Sequence, residues 1–503
     1  MRASVADRVI VQLGGVGASR SAGLPLAGSS AAADPLAAAT LETLGLSGWR
    51  GAATGHQPTF WHGGILAKAM CAAELSCAWG CGWLHLVADH DAVDPLALPY
   101  PARRAGEPVR RAVAHFGAPS AAGAAACAIE AAAVRSCERA CPLPPALGAI
   151  AGRLERVYAA LASADSSQGA AWRTVHANFA LLSEVGALDG PAHTLCASEL
   201  LDTPLGRNCA ERIAADPEAC ARAFNDALAL APRAASRLRV DGDASEVPLW
   251  ELGGGGVRMR ISGLRLRALL RDGALDLCGG HSARAPQRPD GRSSAQDARG
   301  SARDRAVGRR VLLPRAFLAT GIIRALGIHF VHGTGGDAYE RAGDAWWRAA
   351  LGRTLPPFSV ATADLRFSAE SLGLRADAVP PRLSWREAWV DPARLDGVHQ
   401  DPERARAVAA IEALPRRSAA RRRAFEAMRE RVSAMRDARR GELDALASAD
   451  AARSQMRAAL AAATDRTYPA ALHDTETLAA LGSLVARVVS GSSAASGASG
   501  SRR

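Results

Sequence analysis

Apolar and polar positions along this chain fall into blocks that read, in turn, as strand, turn and helix. The clearest run lies in residues 51–120. Ala52–Gln57 reads as a strand end and His62–Trp79 as a helix. Trp83–Ala88 then reads as a short buried strand that breaks at once into Asp89-His90-Asp91. The same order returns in residues 311–370, with Arg315–Gly327 as helix, Ile328–His332 as strand, Asp337–Leu351 as helix and Phe358–Phe367 as strand. Repeated strand–helix alternation predicts an α/β protein built on a Rossmann-like parallel sheet.

The rest of the chain is arranged around that core. Residues 1–50 form a Gly/Ala/Ser-rich N-terminal segment with one strand-like run, Val9–Leu13. Residues 121–256 read as a mainly helical insertion, Ala121–Leu161 and Ala170–Leu230, punctuated by Pro142, Pro144, Pro145, Pro191, Pro204 and Pro217. A connecting strand and helix are expected in residues 257–278. Residues 279–310 are too poor in apolar side chains to bury themselves and read as a disordered basic loop. Residues 371–489 are predicted helical and coiled-coil-like, because Phe425, Met428, Val432 and Met435 recur at 3-4-3 spacing. Arg439 and Glu442 interrupt that seam. Residues 490–503 read as a disordered tail.

Composition narrows the class. With 503 residues, 49% apolar and 22% charged, the chain can bury a large core. It has no run of about 18 apolar residues to span a membrane and no signal-peptide pattern. Its ten cysteines show no disulfide spacing, so a cytoplasmic location is expected. Of the net charge of +11, residues 279–310 supply eight arginines against Asp290, Asp297 and Asp304, and Arg502 and Arg503 supply two more. No aromatic residues interleave with these arginines, so a nucleic-acid partner is not expected. Cys71, Cys77, Cys81 and His85 lack a C-x-x-C pair and mostly fall on a helix that needs apolar filling. They read as core, and no residue is assigned to a metal.

Among 61 lysines and arginines, only Lys68 is a lysine. A compact ammonium can fit a phosphate or a buried pair where the wider guanidinium cannot. Lys68 belongs to the first of three chemically loaded segments, Thr54–Lys68. There Gly55 ends a strand, His56, Gln57 and His62 offer hydrogen-bonding groups, and Gly63 and Gly64 open a helix whose N–H groups favour an anion. A tight strand–turn–helix connection with capping polar groups accounts for the same residues without a ligand. In the second segment, Asp89, His90, Asp91 and Asp94 follow a strand, where open parallel sheets bind ligands. His56 and His90 are acid/base candidates, with Asp89 and Asp91 to orient His90 or hold Mg²⁺ beside a nucleotide. Capping of a short helix by Asp91 or Asp94 is the alternative. The third segment runs from His329 to Glu340, with His332, Gly333, Gly335 and Gly336 as its candidate residues, and repeats the strand–glycine loop–helix order. It matches no standard phosphate-loop fingerprint.

Gly55, Gln57, Gly63 and Lys68, followed by Asp89, His90 and Asp91, resemble the bacillithiol biosynthesis cysteine-adding enzyme family. The match covers about forty residues, with looser likeness in the order of elements over Val311–Phe367. The resemblance implies a nucleotidyltransferase-like Rossmann core with helical insertions and a coiled coil. It implies a ligase-like enzyme of thiol metabolism that joins cysteine to a small sugar-derived acceptor, using ATP or ADP with Mg²⁺ as a cofactor. It would set His62-Gly63-Gly64 against nucleotide phosphates, and the C-terminal helices could pair two copies as a homodimer. A nucleotidyltransferase of another substrate and a non-catalytic nucleotide-binding scaffold are the alternatives. His56, Pro58 and Ala88 depart from the family pattern.

Overall fold

The computed structural model describes residues 5–12, 34–103, 107–117, 123–129, 148–164, 169–273, 312–367, 374, 383–397 and 401–497, with side chains described between 34 and 490. The basic segment 279–310 and Pro142, Pro144 and Pro145 lie outside the described residues. The chain divides into two compact units. The first comprises residues 1–100, 112–367 and 465–503, and the second residues 101–111 and 368–464.

In chain order the strands are β1 (Val5–Gln12), β2 (Ala52–His56), β3 (Leu84–Val87), β4 (Ala97–Ala102), β5 (Arg110–His115) and β6 (His193–Cys196). They continue with β7 (Glu246–Leu252), β8 (Arg258–Ser262), β9 (Leu312–Pro314), β10 (His329–His332) and β11 (Phe358–Leu365). The central sheet of the first unit has the order β1-β11-β10-β2-β3-β6. β2, β3, β6, β10 and β11 are parallel, and β1 runs antiparallel along β11. β3 is buried along its whole length and β11 at all but one position, as expected of parallel strands covered on both faces. Alternate side chains divide between two cores. Ala53, Leu84, Leu86, Leu195 and Phe330 pack toward helices that include Pro204–Ala215, Phe317–Ala325 and Gly336–Leu351. Ala52, Val331, Ala361, Ala363 and Leu365 pack toward the Gly63–Ala78 and Thr475–Gly497 helices.

The order of these strands places the candidate edge. From β2 the chain builds outward through β3 and β6, then returns to the other side of β2 to lay down β10 and β11. Neighbouring β2 and β10 therefore lead away in opposite directions, which makes their C-terminal ends the topological switch point, where such sheets open a crevice. The pair is held in register with Val331 opposite Thr54, and Thr54 Oγ1 donates to the Val331 carbonyl at 2.8 Å.

Several helix boundaries follow from local chemistry. Thr203 caps the Pro204–Ala215 helix, and Asp216 caps Pro217–Ala227, each with proline at the first helical position. Strand β6 is a correction, since it lies in the stretch read as helical. Four residues cannot show a period, and the 3-10 turn Ala197–Asp202 follows without a break. The Thr475–Gly497 helix extends into the stretch expected as a tail from 490, and residues 498–503 lie outside the described residues. β7, β8 and β9 form a separate antiparallel sheet in the order β8-β7-β9.

In the second unit, helices Pro402–Ala413, Ala419–Ala438 and Arg440–Ala463 dominate. The seam read from the sequence is only half engaged there. Val432 is buried, while Phe425 is 47% exposed. Arg439, already marked as an interruption, leaves helical geometry at φ −115° and ψ 22° and separates the two longest helices of that unit. Among the described residues no helix is long and apolar enough to cross a membrane.

Candidate functional site at the sheet edge

The C-terminal ends of β10, β2 and β3 are adjacent, so all three segments singled out in the sequence reach one edge of the sheet. The first and second are bonded directly: Gln57 Nε2 donates to Asp91 Oδ2 at 2.9 Å, and Ala88 N to the His56 carbonyl at 2.8 Å. Arg258, on β8, closes over the same turn. Its Nη1 lies 3.1 Å from the His90 carbonyl and 3.4 Å from Asp91 Oδ1.

Lys68 lies beneath this edge rather than on it. Its side chain is buried, and its ammonium donates to the carbonyl of Gly55 at the end of β2. Burial pushes its pKa down to about 7. Its charge bears on His56, His62, His85 and His332 together, so it sits amid four imidazoles. An exposed anion clamp one turn into the helix is therefore not what the fold builds. Lys68 is a buried strut whose protonation is finely balanced.

The helix start is likewise committed internally. His62 caps the Gly63–Ala78 helix, its Nδ1 accepting the Gly64 N–H at 3.1 Å. A methyl on Gly63 would overlap Leu365 Cβ, and one on Gly64 would crowd Thr362 Oγ1 at 3.0 Å and the Ala363 carbonyl at 3.2 Å. The two glycines serve the close approach of helix to β11, and the Gly64 donor is already occupied. Burial, with the Arg466 and Lys68 charges, holds the His62 pKa down to about 4.

Asp89 is a clamp between strands. It accepts from Ser198 N at 2.9 Å and Ser198 Oγ at 2.5 Å, tying β3 to the turn after β6, and burial raises its pKa. It does not orient His90. Asp91 is divided between Gln57 and Arg258. The Asp89 and Asp91 oxygens each carry a hydrogen bond or ion pair from a protein group. Asp94 accepts the Leu96 N–H at 3.0 Å and pairs with His115 at 3.3 Å, closing the turn that leads into β4, and the short helix of the capping alternative is not formed there. His90 remains chemically open. It is 8% exposed, its buried Nδ1 has no hydrogen-bond partner, and its Nε2 is 3.9 Å from Asp91 Oδ1. His56 Nδ1 lies 3.0 Å from the Gln57 carbonyl, which favours the tautomer with the proton on Nδ1 and a lone pair on Nε2. Burial, then the Lys68 charge, keeps its pKa well below the usual histidine value.

At the end of β10, His332 Nδ1 accepts the Gly333 N–H at 3.0 Å, and its Nε2 is 3.5 Å from Glu340 Oε1. Glu340 pairs at 2.7 Å with fully buried Arg324, which also donates to the Pro356 carbonyl. A methyl on Gly336 would overlap the His332 ring, whereas Gly333 and Gly335 face open space. Tyr339 lies against His332 with ring centroids 5.9 Å apart, and burial raises its pKa well above the usual value.

Sequence reading missed Arg258, Ser198 and Arg324 as partners of the edge, while Tyr339 and Glu340 fell within the third segment without an assigned role. Arg324 carried a signal, since it interrupts the otherwise uncharged Phe317–Ala325 helix, and arginine is almost never fully buried unless paired. Arg258 and Ser198 carried none, as each depends on a tertiary contact. Cys71 is buried, Cys77 exposed, and His85 lies among Trp61, Phe179 and Trp83 at ring distances of 5.0, 5.5 and 6.2 Å. Among the described residues no group of three or more His, Cys, Asp or Glu side chains is placed to hold a metal. No protein-family model matches the chain, and no curated protein is significantly similar to it.

Proposed function

We propose that this chain is a ligase-like enzyme that binds a nucleotide or another phosphate-bearing ligand at the β2/β10 edge. There it condenses an amino acid, cysteine first among candidates, with a small sugar-derived acceptor. The observation that supports this best is the meeting of Gln57, His90, Asp91, Arg258 and His332 at the switch point of a doubly wound sheet. The resemblance to the bacillithiol cysteine-adding family supplies the choice of cysteine and of the acceptor.

Each part of the edge has a chemical task in this reading. Arg258 is the cation that meets an anionic group. His56, held neutral by burial, has a lone pair to take a proton from an attacking amine, and His90 can exchange one through its unpartnered Nδ1. A bound nucleoside triphosphate would supply the phosphoryl group that takes up the oxygen departing from the amino acid's carboxylate as the acceptor's amine attacks it. A second reading is a non-catalytic nucleotide-binding scaffold; in either reading the Gly64 N–H and the Lys68 ammonium are already satisfied within the protein, so the phosphates would meet Arg258 instead.

The deciding experiment incubates the purified chain with ATP, Mg²⁺, cysteine and glucosaminyl-malate, and follows the cysteinyl product by mass spectrometry. Product is expected from the parent chain and at least about a hundredfold less from His90→Ala, the range that general acid/base groups contribute. ADP binding without product would establish the scaffold. Neither binding nor product would dismiss both readings.

A further inference from the structure

On the helical side of the first unit, Gly148–Ser163, Ala170–Glu184 and the segment 471–478 enclose a cavity of about 70 Å³. Its polar lining is Arg153, Arg156, His473 and Thr475, with Leu181 and Val185 among the apolar residues. We propose that this cavity binds a compact oxyanion, inorganic phosphate or the phosphate of a small phosphomonoester. Arg153, Arg156 and the His473 ring would hold it at the N-terminal end of the Thr475–Gly497 helix.

His473 carries the inference. It is only 3% exposed, yet neither ring nitrogen has a hydrogen-bond partner. Leaving a buried donor unsatisfied costs on the order of 1–3 kcal/mol, so such groups call for a partner. The ring is also fixed: it stacks on Phe367 with centroids 4.3 Å apart and planes 11° from parallel. A stacked ring offers its edge, where the nitrogens are, and His473 forms part of the cavity wall. Burial and the Arg153 charge hold its pKa down to about 3, so the ring is neutral and has one N–H to donate.

The other groups suit an anion. Arg153 donates to the Leu472 carbonyl, which anchors the guanidinium at the wall and leaves further N–H groups. Arg156 pairs with Glu184 at 2.7 Å, but both side chains are about half exposed, and such pairs hold weakly. An oxyanion can share or displace that carboxylate. The nearby carboxylate of Asp474 caps the helix, its Oδ1 taking the Thr477 N–H at 2.7 Å, and its charge also bears on Arg153 and His473, so an incoming anion competes with it for those two groups. Thr475, the first residue of that helix, brings its partial positive end to the cavity. The volume suits a phosphate and excludes a base and ribose, which separates this site from the one at the sheet edge.

The test titrates inorganic phosphate into the full chain at constant ionic strength, read by calorimetry, for the parent and three variants. His473→Phe keeps the stacking and removes the donor. Arg156→Gln is a surface change that leaves folding intact. Arg258→Gln reports phosphate binding at the sheet edge. Saturable binding in the parent is expected, weakened at least about tenfold in His473→Phe and Arg156→Gln, the loss of one charge-assisted contact, and unchanged in Arg258→Gln. Should His473→Phe not fold, Arg156→Gln decides alone. Absent binding, or binding that only Arg258→Gln weakens, would overturn the proposal. Glycerol phosphate in a parallel titration separates the two sources: tighter binding than phosphate indicates a phosphomonoester, weaker binding the free ion.

Discussion

Lys68 ties the stability of this protein to pH in a direction unusual for a lysine. In the unfolded chain the amine holds its proton up to about its ordinary value of 10.5, and in the fold only up to about 7. Between those values the unfolded state binds more protons, so stability rises with pH, by at most about 1.4 kcal/mol per pH unit for one group. Buried thiols act in the opposite sense above pH 9, because the folded Cys71, Cys209 and Cys220 keep their protons up to about 12. The buried histidines with depressed pKa values raise stability in the same direction as pH rises to about 7.5, so urea midpoints of the parent and Lys68→Met between about pH 7.5 and 8.5 isolate the lysine. The parent should gain stability over that interval, Lys68→Met should lose the slope, and equal slopes would place the ammonium in water. Lys68→Arg overfills the same site and is expected to cost roughly 1–3 kcal/mol at pH 7. The lone lysine stood out in the sequence, but its depth did not. Composition shows that a residue is singular and cannot show which side of a helix the strand end covers.

At the scale of elements, the glycine-rich turns mix two kinds of glycine that a sequence cannot tell apart. Gly336 and Gly63 are positions where a methyl would meet a neighbour, the His332 ring and Leu365 respectively, while Gly335 faces open space with φ −66°. Gly336→Ala and Gly63→Ala should each lower stability by roughly 1–3 kcal/mol. Gly335→Ala should stay within about 0.5 kcal/mol, the range for ordinary surface changes. Thermal unfolding of the three variants checks this, and a uniform loss would mean that the loop needs glycine for its backbone rather than for space. Strand–turn–helix order was legible here because long periodic runs such as His62–Trp79 and Asp337–Leu351 carry their own signal. β6 was not, being four residues set between a loop and a 3-10 turn. The same holds for the site. His90, Asp91 and Gln57 were found because they follow strands, whereas Arg258 comes from a different sheet.

For the molecule as a whole, the strand order has a kinetic consequence. β2 pairs with β3 across a single helix, and β10 with β11 in the same way, so each half can form from local chain. The seam between the halves joins Thr54 to Val331 across 277 residues of sequence. Loop-closure entropy makes such pairings slow, and contacts distant in sequence form late. The β2/β10 seam, where the candidate groups meet, should therefore assemble after the local pairs β2–β3 and β10–β11, and β1, which pairs with β11 across a still longer stretch from Gln12 to Val360, is late by the same reasoning. A refolding chain would pass through a species with two ordered halves and no site. Pulsed hydrogen exchange during refolding should show amide protection between β10 and β11 ahead of that between β2 and β10, and simultaneous protection would rule this order out. A cell making this protein would then have to shield an open β2 edge until most of the chain has been synthesised, because the strand that covers it is encoded so far downstream.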